Sequence, residues 1–380
     1  MESYVRKTFS PLLKELFYRV KRTCSPETYE AVLQERAGIL TRDDDCVSFE
    51  STVRQHFYEQ PWINQRRKRF EAIVFFSCAA PRMWFCPRLP RELEISYTIY
   101  FIYTFLVDDE DPQVSDYTSL VTMDTAPTPF MASFRSHLDR MKGLFSDKEY
   151  WYFLKGLIDF IMMTRVEHLL HGRVHTLSKS SVHFPWYWKQ LATSALPHTA
   201  MVLRSHSDLV LKMQVQCELE RYMSFVNDLC SWYKERVTGD ELTYEEIISH
   251  IRYENSHEGL QHLLDETIGC MERCREICSG DPEMLKSVDY FLVGYFQWHL
   301  VTGRYKLAPF LQVIRTLLVY YFAYAELSHR LIYQWRLRLR ALRPKTLKRY
   351  KLTMIVILLL SGMRFNGLRE RLQESFNCTA

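Results

Sequence analysis

Residues 95–107, ISYTIYFIYTFLV, run for thirteen positions without a charge, a glycine or a proline, and the acidic run DDEDP follows at once. The β-branched and aromatic content favours a strand. Thirteen unbroken residues exceed the usual strand length, however, so the segment is read as a helix buried on all sides. Such a helix needs a complete shell of other elements around it. Helix-period patterns recur along most of the chain to supply that shell. SPETYEAVLQERAG opens on a capping Ser-Pro-Glu and closes on a glycine, and DPEMLKSVDYFLVGYFQWHL opens on Asp-Pro-Glu. Alternating strand patterns are scarce. The fold class expected is all-α, a bundle of at least ten helices whose ligand groups project inward from facing helices.

Composition narrows the class. The 380 residues are 47% hydrophobic and 25% charged, as in ordinary globular proteins, and 14% are aromatic, which points to a large aromatic-lined interior. The formal charge of +4 is unevenly placed. Residues 336–351, RLRLRALRPKTLKRYK, hold eight basic and no acidic side chains, which leaves the rest of the chain about −4. A slightly acidic body argues against a nucleic-acid surface. The apolar run LTMIVILLLSGM at 352–363 is only twelve residues long, and a membrane span takes roughly 20. Packing at the chain end is expected for it, with attachment to an anionic surface through the basic run as the lesser reading. No secretory pattern opens the chain and its ten cysteines are scattered, so a cytoplasmic location is expected. Cys270, Cys274 and Cys278 share a helical spacing, but they lack the short knuckle of a zinc site and are read as core.

Three constellations carry chemistry. In FVNDLCSWYKE, Asn227, Ser231 and Glu235 are four residues apart, so on a helix they step by about 40° along one stripe, roughly 6 Å per step. An amide oxygen, a hydroxyl and a carboxylate form a hard-oxygen set suited to Mg²⁺. The same spacing also fits a solvated polar stripe on a surface helix. Asp228 points about 100° away and is placed to orient a neighbour, whereas Lys234 can bring a positive charge to the same stripe.

The second constellation is the acidic end of the apolar helix, where carboxylates meet the negative end of the macrodipole unless a cation offsets it. Pro112 disfavours helix at Asp111, so Asp108 is the last aligned carboxylate, with Asp109 and Asp111 on the turn. TRDDDC at 41–46 is also acidic and is read as a solvated loop. The third is GYFQWHLVTGRYKL at 294–307. It places Trp298 and Tyr305 seven residues apart on one helix face with Gly294 and Val301, and Arg304 beside them. Arg304 and Tyr305 offer donors suited to phosphate oxygens.

An Asp-rich helix end, N-D-x-x-S-x-x-K-E about 120 residues later and R-Y some 70 further on together resemble the class I terpene cyclases. The likeness is to the fungal trichodiene synthase family and runs from about residue 60 to residue 307. It implies a single α-bundle around a central cavity that binds three Mg²⁺ and farnesyl diphosphate. Asp108 would hold two metals; Asn227, Ser231 and Glu235 would hold the third. Asp109, Asp111 and Asp228 stand as further ligands or as supports for them. Lys234, Arg304 and Tyr305 would hydrogen-bond the diphosphate. Phe101, Phe105 and Trp298 are candidate cavity walls, able to face a carbocation.

The chain departs from the family pattern in three places, one of them being that the likeness ends at about residue 308. DDEDP replaces the usual DDxxD, and Lys189 in FPWYWKQLATS stands where the family has a diphosphate-sensing arginine. Lysine lacks that residue's bidentate fork. The resemblance further implies a homodimer and residues 1–307 as the cyclase domain, with 308–380 a divergent, basic, helical segment packed on it. Two alternatives stay open: a chain-elongating prenyltransferase, which would carry a second Asp-rich motif where NDLCSWYKE stands, and a non-catalytic helical binding protein.

Overall fold

Most helices begin where the sequence supplies an acceptor for amides that have no partner inside the helix. Ser25 caps α2 (Pro26–Thr41) by accepting Thr28 N–H at 3.1 Å, and Asp43 caps α3 (Asp44–Tyr58) by accepting Cys46 N–H at 2.8 Å. Thr128 caps α6 (Pro129–Leu144), Asn255 opens α12 (Ser256–Ile277) with a full capping box, and Asp281 caps α13 (Pro282–Val301). The remaining α-helices are α1 (Glu2–Thr23), α4 (Ile63–Trp84), α5 (Arg91–Asp108), α7 (Asp147–Leu170), α8 (Phe184–Ala192), α9 (Ala195–Val202), α10 (Leu209–Thr238) and α11 (Tyr244–Arg252). The computed structural model describes residues 2–108, 120, 128–170, 173–238, 243–252, 255–307 and 310; among them there is no strand. The chain divides into two units, Met1–Leu311 and Gln312–Ala380, and every described residue belongs to the first. The basic run at 336–351 and the apolar run at 352–363 therefore lie outside the described residues. Among the described residues no helix is long and apolar enough to cross a membrane.

The charge-free segment 95–107 is helical, as expected, and forms most of α5. All of its side chains are buried except Ile95 and Phe105, which are partly so. Its shell consists of α3, α4, α6 and α7. Helix α13 packs on α2, α4 and α10, and α10 packs along α12. The crossing of α13 over α4 depends on one glycine. A Cβ at Gly294 would lie 1.5 Å from the Met83 carbonyl oxygen, so only a residue without a side chain allows this approach. Close contact here brings Trp298 Nε1 within 2.7 Å of the Phe76 carbonyl, to which it donates.

Three local expectations are corrected. Helix α2 does not stop at Gly38 but runs to Thr41, where Arg42 takes a left-handed conformation (φ 54) and donates its N–H to Ile39 O. TRDDDC is not a solvated loop. Asp43 and Asp45 open α3 inside an ion-pair network with Arg82, Arg88 and Arg91, and the arginines offset acids already favoured at a helix N-terminus. Finally, α13 ends at Val301, and Arg304 and Tyr305 lie on a 3₁₀ turn, Gly303–Tyr305, rather than on the helix face of Trp298. Cys270, Cys274 and Cys278 are fully buried, and burial pushes the thiols of Cys270 and Cys278 up to about 12.

Candidate active site

Helix α10 lays Asn227, Ser231, Lys234 and Glu235 along the wall of a cavity of about 420 Å³. Phe225, Val226, Leu229 and Trp232 on the flanks of this stretch are buried, and Asn227, Lys234 and Glu235 are only partly exposed, unlike a solvated stripe on a surface helix. Ser231 is 2% exposed. Asn227 donates its Nδ2–H to Tyr305 Oη at 3.2 Å, which leaves its amide oxygen as the ligand atom not used in that bond. Burial, and next the Asp228 charge, push the Glu235 carboxyl up to about 6, against the pull of Lys234, whose Nζ lies 3.7 Å from Glu235 Oε1. A carboxylate that is costly to ionise where it stands is one that a cation would stabilise. The amide oxygen, hydroxyl and carboxylate on one face fit a hard divalent cation.

The partner wall is assembled from α4, α5, α13 and the turn that follows α13. Arg304, on the turn after α13, lays its guanidinium 4.9 Å from the ring centre of Phe105 and 5.8 Å from that of Phe76. Tyr305, 2% exposed, packs against Trp298 and His299 with ring centres 6.0 and 4.4 Å away. Beyond Trp298 the wall is aromatic. Trp84 lies 5.0 Å and Phe101 6.2 Å from its ring, and Phe101 meets Phe105 at 4.6 Å. The cavity thus has a cationic and hard-oxygen end and an aromatic end, and Tyr305 joins the two.

Lys189 also lines the cavity, but its ammonium is paired with Asp228. Burial pulls the Lys189 ammonium down, but the charge and hydrogen bond of Asp228, with the Glu235 and Glu167 carboxylates, together hold that lysine above its usual pKa. Asp228 therefore engages a neighbour, as its angle on the helix suggested. Of the expected site residues, Asn227, Ser231, Glu235, Lys234, Asp228, Lys189, Arg304, Tyr305, Phe101, Phe105 and Trp298 all border one cavity. Asp108 is the last residue of α5, while Asp109 and Asp111 lie outside the described residues. Sequence reasoning missed Glu167, Trp84, Tyr295, His198 and Ser194 in the same wall. A single polar or aromatic residue in a helix carries no local signal. Ser194 alone left a trace in the helix break between α8 and α9, where it adopts φ 51. His198 Nδ1 lies 2.5 Å from Tyr97 Oη, and burial lowers its imidazole to about 3, so it is neutral.

A sequence profile of the family described as trichodiene synthase (TRI5) matches residues 49–314. The chain belongs to the trichodiene synthase (TRI5) family. Its similarity to individual members is modest. It is 23% identical over 274 residues to an (E)-beta-farnesene synthase of Metarhizium brunneum, covering 69% of this chain and 82% of that one. It is 26% identical over 233 residues to terpene cyclase pbrA of Penicillium brasilianum, at 58% and 56% coverage. With trichodiene synthase of Fusarium sporotrichioides it shares 22% over 245 residues, at 60% and 63%. The chain thus spans less than two thirds of the length of two of these three relatives. Solved structures agree on the fold. A cucumene synthase variant superposes with a TM-score of 0.53 at 13% identity, covering 67% of this chain and 96% of that one. A linalool/nerolidol synthase from Streptomyces clavuligerus gives 0.50 at 15%, at 73% and 97%. The TRI5-family chain therefore has the all-α fold of terpene synthases.

Proposed function

We propose that the protein is a Mg²⁺-dependent sesquiterpene cyclase that ionises farnesyl diphosphate, closes the resulting carbocation to a sesquiterpene hydrocarbon or alcohol, and releases diphosphate. One observation carries the reading: Asn227, Ser231, Glu235, Lys234, Arg304 and Tyr305 border the same cavity as Phe101, Phe105 and Trp298. An allylic diphosphate has the same two-part character, with a polyanionic head and an apolar tail. A cavity of about 420 Å³ is in the range of small-molecule sites.

Asn227, Ser231 and Glu235 would hold a Mg²⁺ ion, with Asp108 serving further ions by the resemblance. Bound Mg²⁺ supplies charge that stabilises the departing diphosphate. Lys234 and Arg304 add fixed cations and Tyr305 a hydroxyl for the oxygens that gain charge as the C–O bond breaks. Such preorganised electrostatics act where charge develops. The guanidinium of Arg304 is braced by Phe105 and Phe76, which keeps its planar donor fork in one orientation. No side-chain nucleophile is needed. The aromatic walls keep water from the cation and attract it through their ring faces, worth about 2 kcal/mol per desolvated contact. A cytoplasmic homodimer belongs to the same proposal and rests on the family resemblance.

The test is incubation of the full chain with farnesyl diphosphate and Mg²⁺, with release of diphosphate and extracted products both measured. Cyclic C15 products that need Mg²⁺ are expected. Intact substrate under all metal conditions overturns the reading, and a longer prenyl diphosphate would identify an elongase instead.

A further inference from the structure

The pair formed by Lys189 and Asp228 lies in the cavity wall, with the two residues 9% and 3% exposed. Lys189 comes from α8 and Asp228 from α10. The other carboxylate oxygen of Asp228 accepts the backbone N–H of Tyr244, the first residue of α11, at 3.1 Å. One carboxylate therefore ties three helices together directly behind the polar stripe, one residue from Asn227. The main-chain oxygen of Asp228 also accepts a long bond from Ser231 Oγ at 3.4 Å. By position in the sequence, Lys189 replaces an arginine expected to contact diphosphate. Its ammonium is instead held by a buried acid.

We propose that Lys189 is a positioning residue: it neutralises Asp228, and the pair fixes the face of α10 that presents Asn227 and Ser231. Without Lys189, Asp228 is an unpaired charge in the cavity wall, and the hub that joins α8, α10 and α11 loses one arm. A buried pair broken on one side is strongly destabilising, whereas removing both charges together costs little. That asymmetry separates a charge-balancing role from direct contact with diphosphate. The role of the stripe rests on the cyclase reading, but the state of the pair does not.

The experiment compares the full-length wild type with Lys189→Met and with Lys189→Met/Asp228→Asn, in which the carboxamide still accepts the Tyr244 N–H. Thermal unfolding, binding of Mn²⁺ alone, binding of inorganic diphosphate with Mn²⁺, and kcat and KM for farnesyl diphosphate are measured. Lys189→Met is expected to lower the unfolding midpoint by about 5 °C or more and to weaken Mn²⁺ binding about tenfold. The double variant is expected to return the midpoint to near that of wild type, and Mn²⁺ and diphosphate binding to within about twofold of it. If the double variant folds and binds Mn²⁺ normally but has lost diphosphate binding, Lys189 contacts diphosphate itself and the proposal falls. It falls equally if Lys189→Met matches wild type in every readout. Should Lys189→Met not fold, the double variant decides alone. Absence of turnover in the wild type would sink the cyclase reading, while the midpoint and Mn²⁺ measurements would still decide the pair.

Discussion

The side-chain amide of Asn227 donates to the hydroxyl of Tyr305 across 3.2 Å, although the two residues are 78 positions apart. This bond joins the polar stripe of α10 to the turn that follows α13, and it selects which atom of the amide is left for a cation. Tyr305→Phe removes the acceptor and lets the amide rotate. Titration with Mn²⁺, and the Mg²⁺ dependence of turnover, should each show a loss of affinity of about three- to tenfold, the worth of one net hydrogen bond. Unchanged metal affinity would show that Tyr305 does not orient Asn227.

Glu235 carries a stability cost in the metal-free fold. Its carboxyl is raised from 4.5 to about 6 in the fold, first by burial and then by Asp228. The native state therefore holds more proton than the unfolded chain between those values. The stability of the metal-free protein falls as pH rises through that window, by about 2 kcal/mol in all. Glu235→Gln should remove the penalty, so urea unfolding at pH 8 without metal should show the variant more stable than wild type. Below pH 4.5 the two should converge. The same variant should lose at least about a hundredfold in Mg²⁺-dependent turnover, as expected for a lost metal-binding carboxylate.

The α4–α13 crossing leaves no room for a methyl group at 294, where a Cβ would lie 1.5 Å from the Met83 oxygen. Gly294→Ala must push the two helices apart and disturb the Trp298 bond to Phe76. Denaturant unfolding is expected to show a loss of about 2–3 kcal/mol, the usual cost of overpacking. A variant as stable as wild type would mean that the crossing adjusts freely.

His137, His198 and His299 are buried with imidazoles lowered to about 3, in each case mainly by burial. The unfolded chain takes up protons near pH 6.5 that the native state refuses, so stability is full above that value and is lost as pH falls. At pH 5 each of these residues should subtract about 2 kcal/mol relative to pH 7. Denaturant midpoints measured across this range for wild type and His137→Gln should diverge, the variant sloping less. Parallel slopes would place the acid sensitivity elsewhere.

Local chemistry made much of this readable in advance. Helix starts depend on the capping residue and the next three, so Ser25 and Asp281 announced α2 and α13. The i, i+4 spacing of Asn227, Ser231 and Glu235 put them on one face whatever they faced. Helix ends were less legible. Nothing near Gly38 showed that Arg42 would accept a left-handed conformation, and the termination of α13 at Val301 moved Tyr305 from a helix face to a turn. The acids of TRDDDC looked solvated because their partners, Arg82, Arg88 and Arg91, come from later in the chain.

The sequence by itself determined the all-α class, the buried character of 95–107 and the polar stripe of α10, because each follows from periodicity and side-chain chemistry within a few residues. Only the tertiary structure decided what the stripe faces and which charges meet. Trp298 reaches Phe76 across 222 positions, and Lys189 is taken up by Asp228 rather than left open to the cavity. Those pairings depend on how helices cross, and the approach of α13 to Met83 at Gly294 is set by three-dimensional packing that no local pattern encodes.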